Sequence, residues 1–480
     1  MQNTPSPSVA FMARKEIRQI VRDGRLRLLG AIVLALAMAA LAFGASQTHR
    51  AAEARDQARQ RASDNWQGQG QKNPHVAAHY GTYVFAPTSV ATAIDPGVSA
   101  YLGRSVKIEA HQRNLAAHTQ AQDSASVSLL GSFSVSMVLL QLVPLLIIAL
   151  GYGMWAAERE RGTLRQVLST GVDRRALFWG KALALGTVTS ALLVPAGMII
   201  VGVLWALGGG NAATLIRLGL LALGYGVYFT VFASLTLYAS ATARSSRAAL
   251  VGMIAIWGAV CIIAPRLSTE IAGAAVPLPS KAAFEREVAH SLEKGIDGKT
   301  DREATIGKFT EEMMAAEGFE NAGILMDDTD LSGFELRAEA KWEDTIYDHH
   351  VETLQDKLSA QETAVSWASF LSPYVAMRAL SAGLCGTDYA HHRHFTDRAG
   401  QWRKELVGML NDAFAKNAGD QGWEYRAGPE LWKKAPPFTY TSPSPTFALQ
   451  THAASALALL VWLALALGLA LWSARRVRVS

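Results

Sequence analysis

The chain has 480 residues, half of them apolar and only 18% charged, and the apolar residues gather in long blocks. That distribution excludes a soluble protein of the roughly three domains that its length alone would suggest. The net charge of +5 comes from Lys and Arg beside those blocks, the pattern of loops retained on one side of a membrane rather than of a nucleic-acid partner.

In chain order, residues 1–27 are basic, with Phe11, Ile17, Ile20, Val21 and Leu28 recurring at roughly helical spacing among Arg14, Lys15, Arg18, Arg22, Arg25 and Arg27. This predicts an amphipathic helix lying on the cytoplasmic membrane surface, its basic groups near lipid headgroups. A first span follows at 28–45. Small residues at Ala42–Ala45 leave a cleavable signal peptide as the rival reading, but the long, helically patterned basic segment favours a retained span. Residues 46–126 are an outer segment, with a polar helical stretch over Ala51–Ala62 and strand character near Tyr80–Pro87. The second span is expected at 127–155, a short cytoplasmic segment at 156–175, and further spans at 176–207, 215–240 and 248–264. Residues 266–446 predict a second outer segment of amphipathic helices over Lys281–Lys294, Asp301–Glu317, Gly333–Gln361, Ala364–Ala382 and Tyr389–Ala418, closed by the Pro-rich stretch Ala435–Pro445. A sixth span at 447–472 leads to a tail at 473–480.

Each apolar block is long enough to cross about 30 Å of hydrocarbon. The fold class expected is therefore an all-α polytopic membrane protein. Six transmembrane helices carry a large, mainly helical extracytoplasmic domain with some β structure. Basic residues flank residues 1–27, 156–175, the turn at Arg244–Arg247 and the tail, which all fall on one side if every block crosses. Both termini are then cytoplasmic. High Ala content and Arg over Lys suggest a GC-rich bacterium and its inner membrane.

The spans contain no Asp or Glu, the residues an ion-coupled carrier places in the membrane. Lys181 and Arg217 are expected to snorkel to the interfaces. Gln141, Thr187, Thr189, Ser190, Thr230 and Ser234 suit hydrogen bonds between helices. A phosphate loop is approached only at Gly295–Thr300, where Glu293 replaces the first required Gly, so that stretch reads as a surface turn. Cys261 and Cys385 are too few for a disulfide framework. Energy must come from a partner.

The segment Glu158-Arg-Glu-Arg-Gly-Thr-Leu-Arg-Gln-Val-Leu-Ser-Thr-Gly171, followed by Arg174, Arg175 and Gly180-Lys181, points to that partner. It resembles the signature of ABC-2 type permeases, which run E-x-E-x-G-T-L-x-x-L-L, a basic residue, then G-K at the next span. Lys15-Glu-Ile-Arg18 and Arg22-Asp-Gly-Arg25 resemble that family's N-terminal surface helix. The resemblance implies a coupling helix that docks in a groove of a cytoplasmic ABC ATPase, with Glu158, Glu160, Gly162, Thr163, Leu164 and Leu168 as the coupling residues. Glu158 and Glu160 would bind basic groups of the ATPase, Gly162 would permit the turn, and Leu164, Val167 and Leu168 would anchor the helix in the bilayer interface. The family often has Pro near position 171, where this chain has Gly. Leu371-Ser-Pro-Tyr374, Gly386-Thr-Asp388 and His391-His-Arg-His394 resemble a subgroup with large outer insertions, the DUF3526-type permeases.

The resemblance implies two ATPase subunits, a second permease copy or paralogue, membrane lipid and a possible periplasmic partner. ATP and Mg would be bound by the ATPase, with no cofactor and no catalytic residue in this chain. Export of a substrate is the function implied, with mechanotransmission to a periplasmic partner as one alternative and a receptor or sensor as another. Asp388, His391, His392 and His394 could ligate a metal, although on a helix His394 turns away from His392. The competing reading is a helix start capped by Asp388, with solvated histidines.

Overall fold

The structure is a computed structural model that describes residues 9–118, 133–318 and 328–477. It has helices long and apolar enough to cross a membrane at Arg25–Gln67, Val135–Glu160, Arg174–Gly209, Ala212–Thr242, Ser246–Ala275 and Ala453–Arg475. We label these α2, α4, α6, α7, α8 and α16. Helix α1 (Val9–Arg22) precedes them, and the short α5 (Thr163–Ser169) joins α4 to α6. The start of α6 and the end of α16 lie at one end of the bundle, where Arg174 reaches the Arg475 carbonyl and α1 packs against α6; this is the near end. A domain occupies the far end.

Inside the bundle, α7 packs against α16, α4, α8 and α6, and buries Tyr228, Val231 and Phe232. Three spans contain a wide π turn, at Trp205–Gly209 ending α6, and at Val138–Leu142 in α4 and Ala259–Ile263 in α8, the latter two each closely followed by a proline, Pro144 and Pro265. A π turn lets a helix absorb a residue that cannot donate its own hydrogen bond. Thus α8 runs on to Ala275, past Pro265 and past the expected end of the fifth span at 264. The carbonyls in the α4 and α8 turns take side-chain donors from neighbouring helices. Tyr228 Oη donates to Leu140 O (2.7 Å), Trp257 Nε1 to Gln141 O (3.1 Å) and Ser372 Oγ to Val260 O (2.6 Å). These bonds replace the interhelical role expected of Thr189 and Thr230, whose hydroxyls bond back to Leu185 and Gly226 of their own helices.

The first span extends much further than its apolar core. Nothing between Leu28 and Gln67 breaks a helix, and Gly68 ends it, so the polar stretch 51–62 continues α2. Its 43 residues measure about 65 Å, roughly twice the hydrocarbon thickness. The second helix begins at Val135, and residues 127–132 of the expected 127–155 lie outside the described residues.

The far domain contains α3 (Pro74–Tyr80), a three-stranded antiparallel sheet of β1 (Thr82–Phe85), β2 (Ser105–Glu109) and β3 (Gln112–Arg113), then α9 (Lys281–Lys294), α10 (Arg302–Ala316), α11 (Asp328–Trp367) and, after α12 (Pro373–Cys385), which packs into the bundle core against α7 and α16, α13 (Tyr389–Asn417). β1 pairs with β2 from Thr82–Ile108 to Phe85–Ser105. Val84, Val106 and Ile108 face Phe395, Trp402, Leu406 and Leu410 of α13, forming a core separate from that of the bundle. The break expected near 361–364 falls instead at Ser372-Pro373. Ser372 accepts a bond from Val375 N, and Pro373 occupies the first turn, where its missing N–H costs nothing. Short helices α14 (Pro429–Trp432) and α15 (Pro445–Thr451) lead to α16. At Gly295–Thr300, Asp297 accepts from Lys299 N, Thr300 N and Thr300 Oγ1, so the turn points a carboxylate where a phosphate loop would offer N–H donors. Cys261 and Cys385 are both buried and free.

Candidate coupling site

At the near end, α1 does not lie on lipid with its apolar face. Met12, Ala13, Glu16 and Ile20 recur every three to four residues and bury against α6. Gly180 makes this approach possible, since a Cβ there would stand 2.5 Å from Met12 Cβ. Phe11 and Val21, expected in the apolar stripe, are exposed.

The acid in the buried stripe meets the next residue of α6. Lys181, expected to snorkel, is fully buried, with its Nζ 3.0 Å from Glu16 Oε1, 2.9 Å from Glu158 Oε2 and 2.7 Å from Met154 O. The ring of Trp155 lies 5.3 Å away. Lys15 completes the quartet, 2.8 Å from Glu158 Oε1 and 3.4 Å from Glu16 Oε1. Two cations and two anions therefore neutralise one another; Lys181 donates hydrogen bonds to Glu16 Oε1 and Met154 O, and meets Glu158 Oε2 as an ion pair. A lysine so buried needs such pairing, because an isolated charge would cost several kcal/mol or more. Partial burial opposes the charge on Lys15, but its bond to Glu158 and the nearby charges of Glu158 and Glu16 raise its pKa above the ordinary value.

Residues 155–160 are bolted to the α7–α8 junction as well. Ser240 Oγ accepts from Trp155 N (2.9 Å) and Ala156 N (3.2 Å). Arg159 donates to the carbonyls of Ala241, Ser240 and Ala243 at the end of α7. Glu160 accepts from Ser246 N (3.0 Å) and Ser246 Oγ (2.6 Å), which places its negative charge at the N-terminus of α8. The two carboxylates expected to meet basic groups of a partner thus have partners within the chain. Glu158 binds α1 and α6, while Glu160 caps α8.

Gly162 has φ +72° and starts α5, and Thr163 Oγ1 donates to the Glu158 carbonyl. Leu164 is fully buried in the bundle core, with Val167 and Leu168 packed partly against it, so α5 is anchored in protein rather than in the bilayer interface. Gly171 ends the segment at φ +79°, a conformation closed to Pro. The outer side of α5 is left exposed, with Arg161, Arg165, Gln166, Ser169 and Thr170.

At the far end, Arg217 of α7 also turns away from the interface expected for it. It donates to Gly383 O (3.3 Å), Leu384 O (3.0 Å) and Pro443 O (2.6 Å), tying α7 to the last turn of α12. The residues expected as metal ligands separate here. Asp388 caps α13 by accepting from His391 N, as the competing reading held, but His391 is buried. Asp388 accepts from His391 Nδ1 and from His452 Nε2 (2.7 Å). Burial disfavours its charge, yet these two bonds outweigh it and hold the carboxyl well below its usual range. His392 is neutral by burial, its pKa lowered to about 4, and exposed His394 bonds Tyr440 Oη at 3.1 Å. The four do not converge on one point.

The pairing of Lys15, Glu16 and Lys181 with Glu158 and with one another escapes a reading by motif. The available signal was Met12-Glu16-Ile20, an acid in the middle of an apolar stripe at four-residue spacing. No curated protein matches the chain. The quartet joins the Lys15-Glu16, Glu158 and Gly180-Lys181 motifs in a single joint. A family model described as ABC-2 family transporter protein matches residues 10–477, and the chain belongs to that family of membrane transporters.

Proposed function

We propose that the chain is the permease subunit of an ABC exporter in a bacterial inner membrane, with both termini cytoplasmic. Two such subunits, identical or paralogous, bind two ATPase subunits, which hold the ATP and Mg. The observation that carries this reading is the quartet of Lys15, Glu16, Glu158 and Lys181 directly behind the exposed side of α5. A force applied to α5 reaches α1 and α6 through the quartet, and α7 and α8 through Arg159 and Glu160. Close-packed, fully bonded elements transmit displacement rather than absorb it.

The test is co-purification with the ATPase encoded beside this chain, followed by ATP hydrolysis with and without the permease. Glu158→Ala with Glu160→Ala should leave the permease in the membrane and remove its effect on hydrolysis. Unchanged stimulation in that double variant would refute the coupling role.

One observation favours the mechanotransmission alternative. Helix α2 continues unbroken from the near end, through the span, to Gln67, where Trp66 Nε1 donates to Trp432 O of the far domain (3.0 Å). An uninterrupted helix of about 65 Å can carry motion across the bilayer without a path for substrate. A Gly-Gly insertion near His49 would abolish function under this reading and spare it under simple export.

A further inference from the structure

Away from the near end, three histidines of the far domain converge. His75 and His79 stand four residues apart on α3, on one face of the helix, and His111 projects from the turn between β2 and β3. His75 Nε2 is 3.1 Å from His79 Nε2 and 3.4 Å from His111 Nε2, and one nitrogen from each ring lies within 4.8 Å of the other two. We propose that His75, His79 and His111 form a binding site for one divalent late transition ion of the zinc class, with a fourth position open to solvent or to an incoming donor.

The hydrogen bonds around the rings support this assignment. His111 Nδ1 lies 2.8 and 2.9 Å from the two carboxylate oxygens of Glu343, so that nitrogen carries a proton. His75 Nδ1 lies 3.3 Å from Asn411 Oδ1 and is likewise a donor. In the neutral rings the remaining nitrogens, both Nε2, then present lone pairs to each other at 3.4 Å. Two facing lone pairs repel unless a cation or a shared proton sits between them. Ligating imidazoles regularly donate their other N–H to a carboxylate or an amide oxygen, which fixes the tautomer and the ring direction. Glu343 and Asn411 stand in those positions.

The distances fit as well. Two nitrogens bound to tetrahedral zinc at about 2.0–2.1 Å stand about 3.3 Å apart, and the two closest pairs here bracket that value. Imidazole donors without thiolates suit zinc, copper or nickel rather than magnesium or calcium. Three histidines with an open position make a site that exchanges its fourth ligand.

The scaffold holds the rings in place before any ion arrives. Asn73 caps α3 by accepting from His75 N (2.9 Å) and Val76 N (3.3 Å), and its amide donates to Trp423 O. Ala110 N donates to Ala78 O, pinning the β2–β3 turn to α3. His111 itself has φ +60°, a left-handed conformation that a non-glycine residue adopts only where its surroundings require it. His75 is buried, while His79 is exposed and leaves the cluster reachable from solvent.

The experiment uses the full-length protein in detergent, without a polyhistidine tag and stripped with a chelator, titrated with Co2+ and then with Zn2+. One Co2+ per chain should bind with the intense visible bands of a four-coordinate ion, and Zn2+ should displace it. His79→Ala, at an exposed position that the fold does not need, should weaken binding at least 100-fold. Glu343→Gln should weaken it about 10- to 100-fold, and His394→Ala should leave it unchanged. Absence of stoichiometric binding, or unchanged binding in His79→Ala, would overturn the proposal and leave a proton shared among the rings.

Discussion

The two ends of the molecule bury polar groups in opposite ways. The near end uses Lys15, Glu16, Glu158 and Lys181, side chains whose ordinary pKa values lie far from neutrality. That network is neutralised from within, with each charge facing its opposite. The far end uses imidazoles, with His391 and His452 on Asp388, and His75, His79 and His111 beside Glu343 and Asn411. Imidazole changes charge near neutral pH and is the commonest metal ligand. Fixed charges suit a joint that must keep its geometry under load. Histidine clusters suit a surface that answers to what lies outside, and the contrast predicts that damage at the two ends will look different.

The largest loss of stability should follow Lys181→Met. Removing one member of a buried ion network leaves the others uncompensated and costs about 3–5 kcal/mol. Thermal unfolding in detergent would read this as a lowered Tm. Glu158→Gln added to Lys181→Met should recover part of the loss, because it removes the one negative charge that Lys15 cannot balance. If the double variant is no more stable than Lys181→Met alone, the quartet does not act as a unit.

Gly180→Leu tests the same joint through shape. The added side chain must displace Met12, and overpacking of this kind costs about 1–3 kcal/mol. Its distinctive sign is protease access to α1, since the clash pushes that helix off α6.

At the far end, Asp388→Asn weakens two charge-assisted bonds, each of the class worth about 1.5–3 kcal/mol, and the amide recovers part by hydrogen bonding. Here the loss depends on pH. The folded-state pKa of Asp388 lies below its unfolded value of about 3.9. Its contribution is therefore complete above that value and is lost as pH falls through the folded pKa. Wild type and Asp388→Asn should converge in acid and diverge above pH 4. Parallel curves down to the lowest accessible pH would show that the carboxylate charge is not what matters.

The spans were legible because length and apolarity are local properties of a sequence. Their extents were harder to read. The fifth span was expected to end at 264, but the π turn before Pro265 carries α8 on, and such turns leave no strong mark in sequence. In the candidate site, Glu158, Gly162 and Gly180-Lys181 stood out as motifs, yet the motif could not say which way Glu158 faces. Its partners sit 143 residues away at Lys15 and on the next helix at Lys181, and only packing brings them together. The histidines show the same limit. The run at 391–394 drew attention through density in sequence, whereas His75 and His79 carried only a four-residue spacing and His111 carried no signal.

The smallest effect on stability belongs to the outer side of α5, and it separates the two kinds of network most sharply. Arg165 is exposed and makes no contact with the quartet, so Arg165→Glu should change stability by no more than about 0.5 kcal/mol. If α5 is the surface that meets the ATPase, the reversed charge should still abolish co-purification and stimulated hydrolysis. Lys181→Met would lose stability and coupling together, whereas Arg165→Glu would lose coupling alone. A stable Arg165→Glu permease that retains its ATPase would move the docking surface away from α5, and the exposed basic residues of α1, Arg14, Arg18 and Arg22, would be the next to reverse.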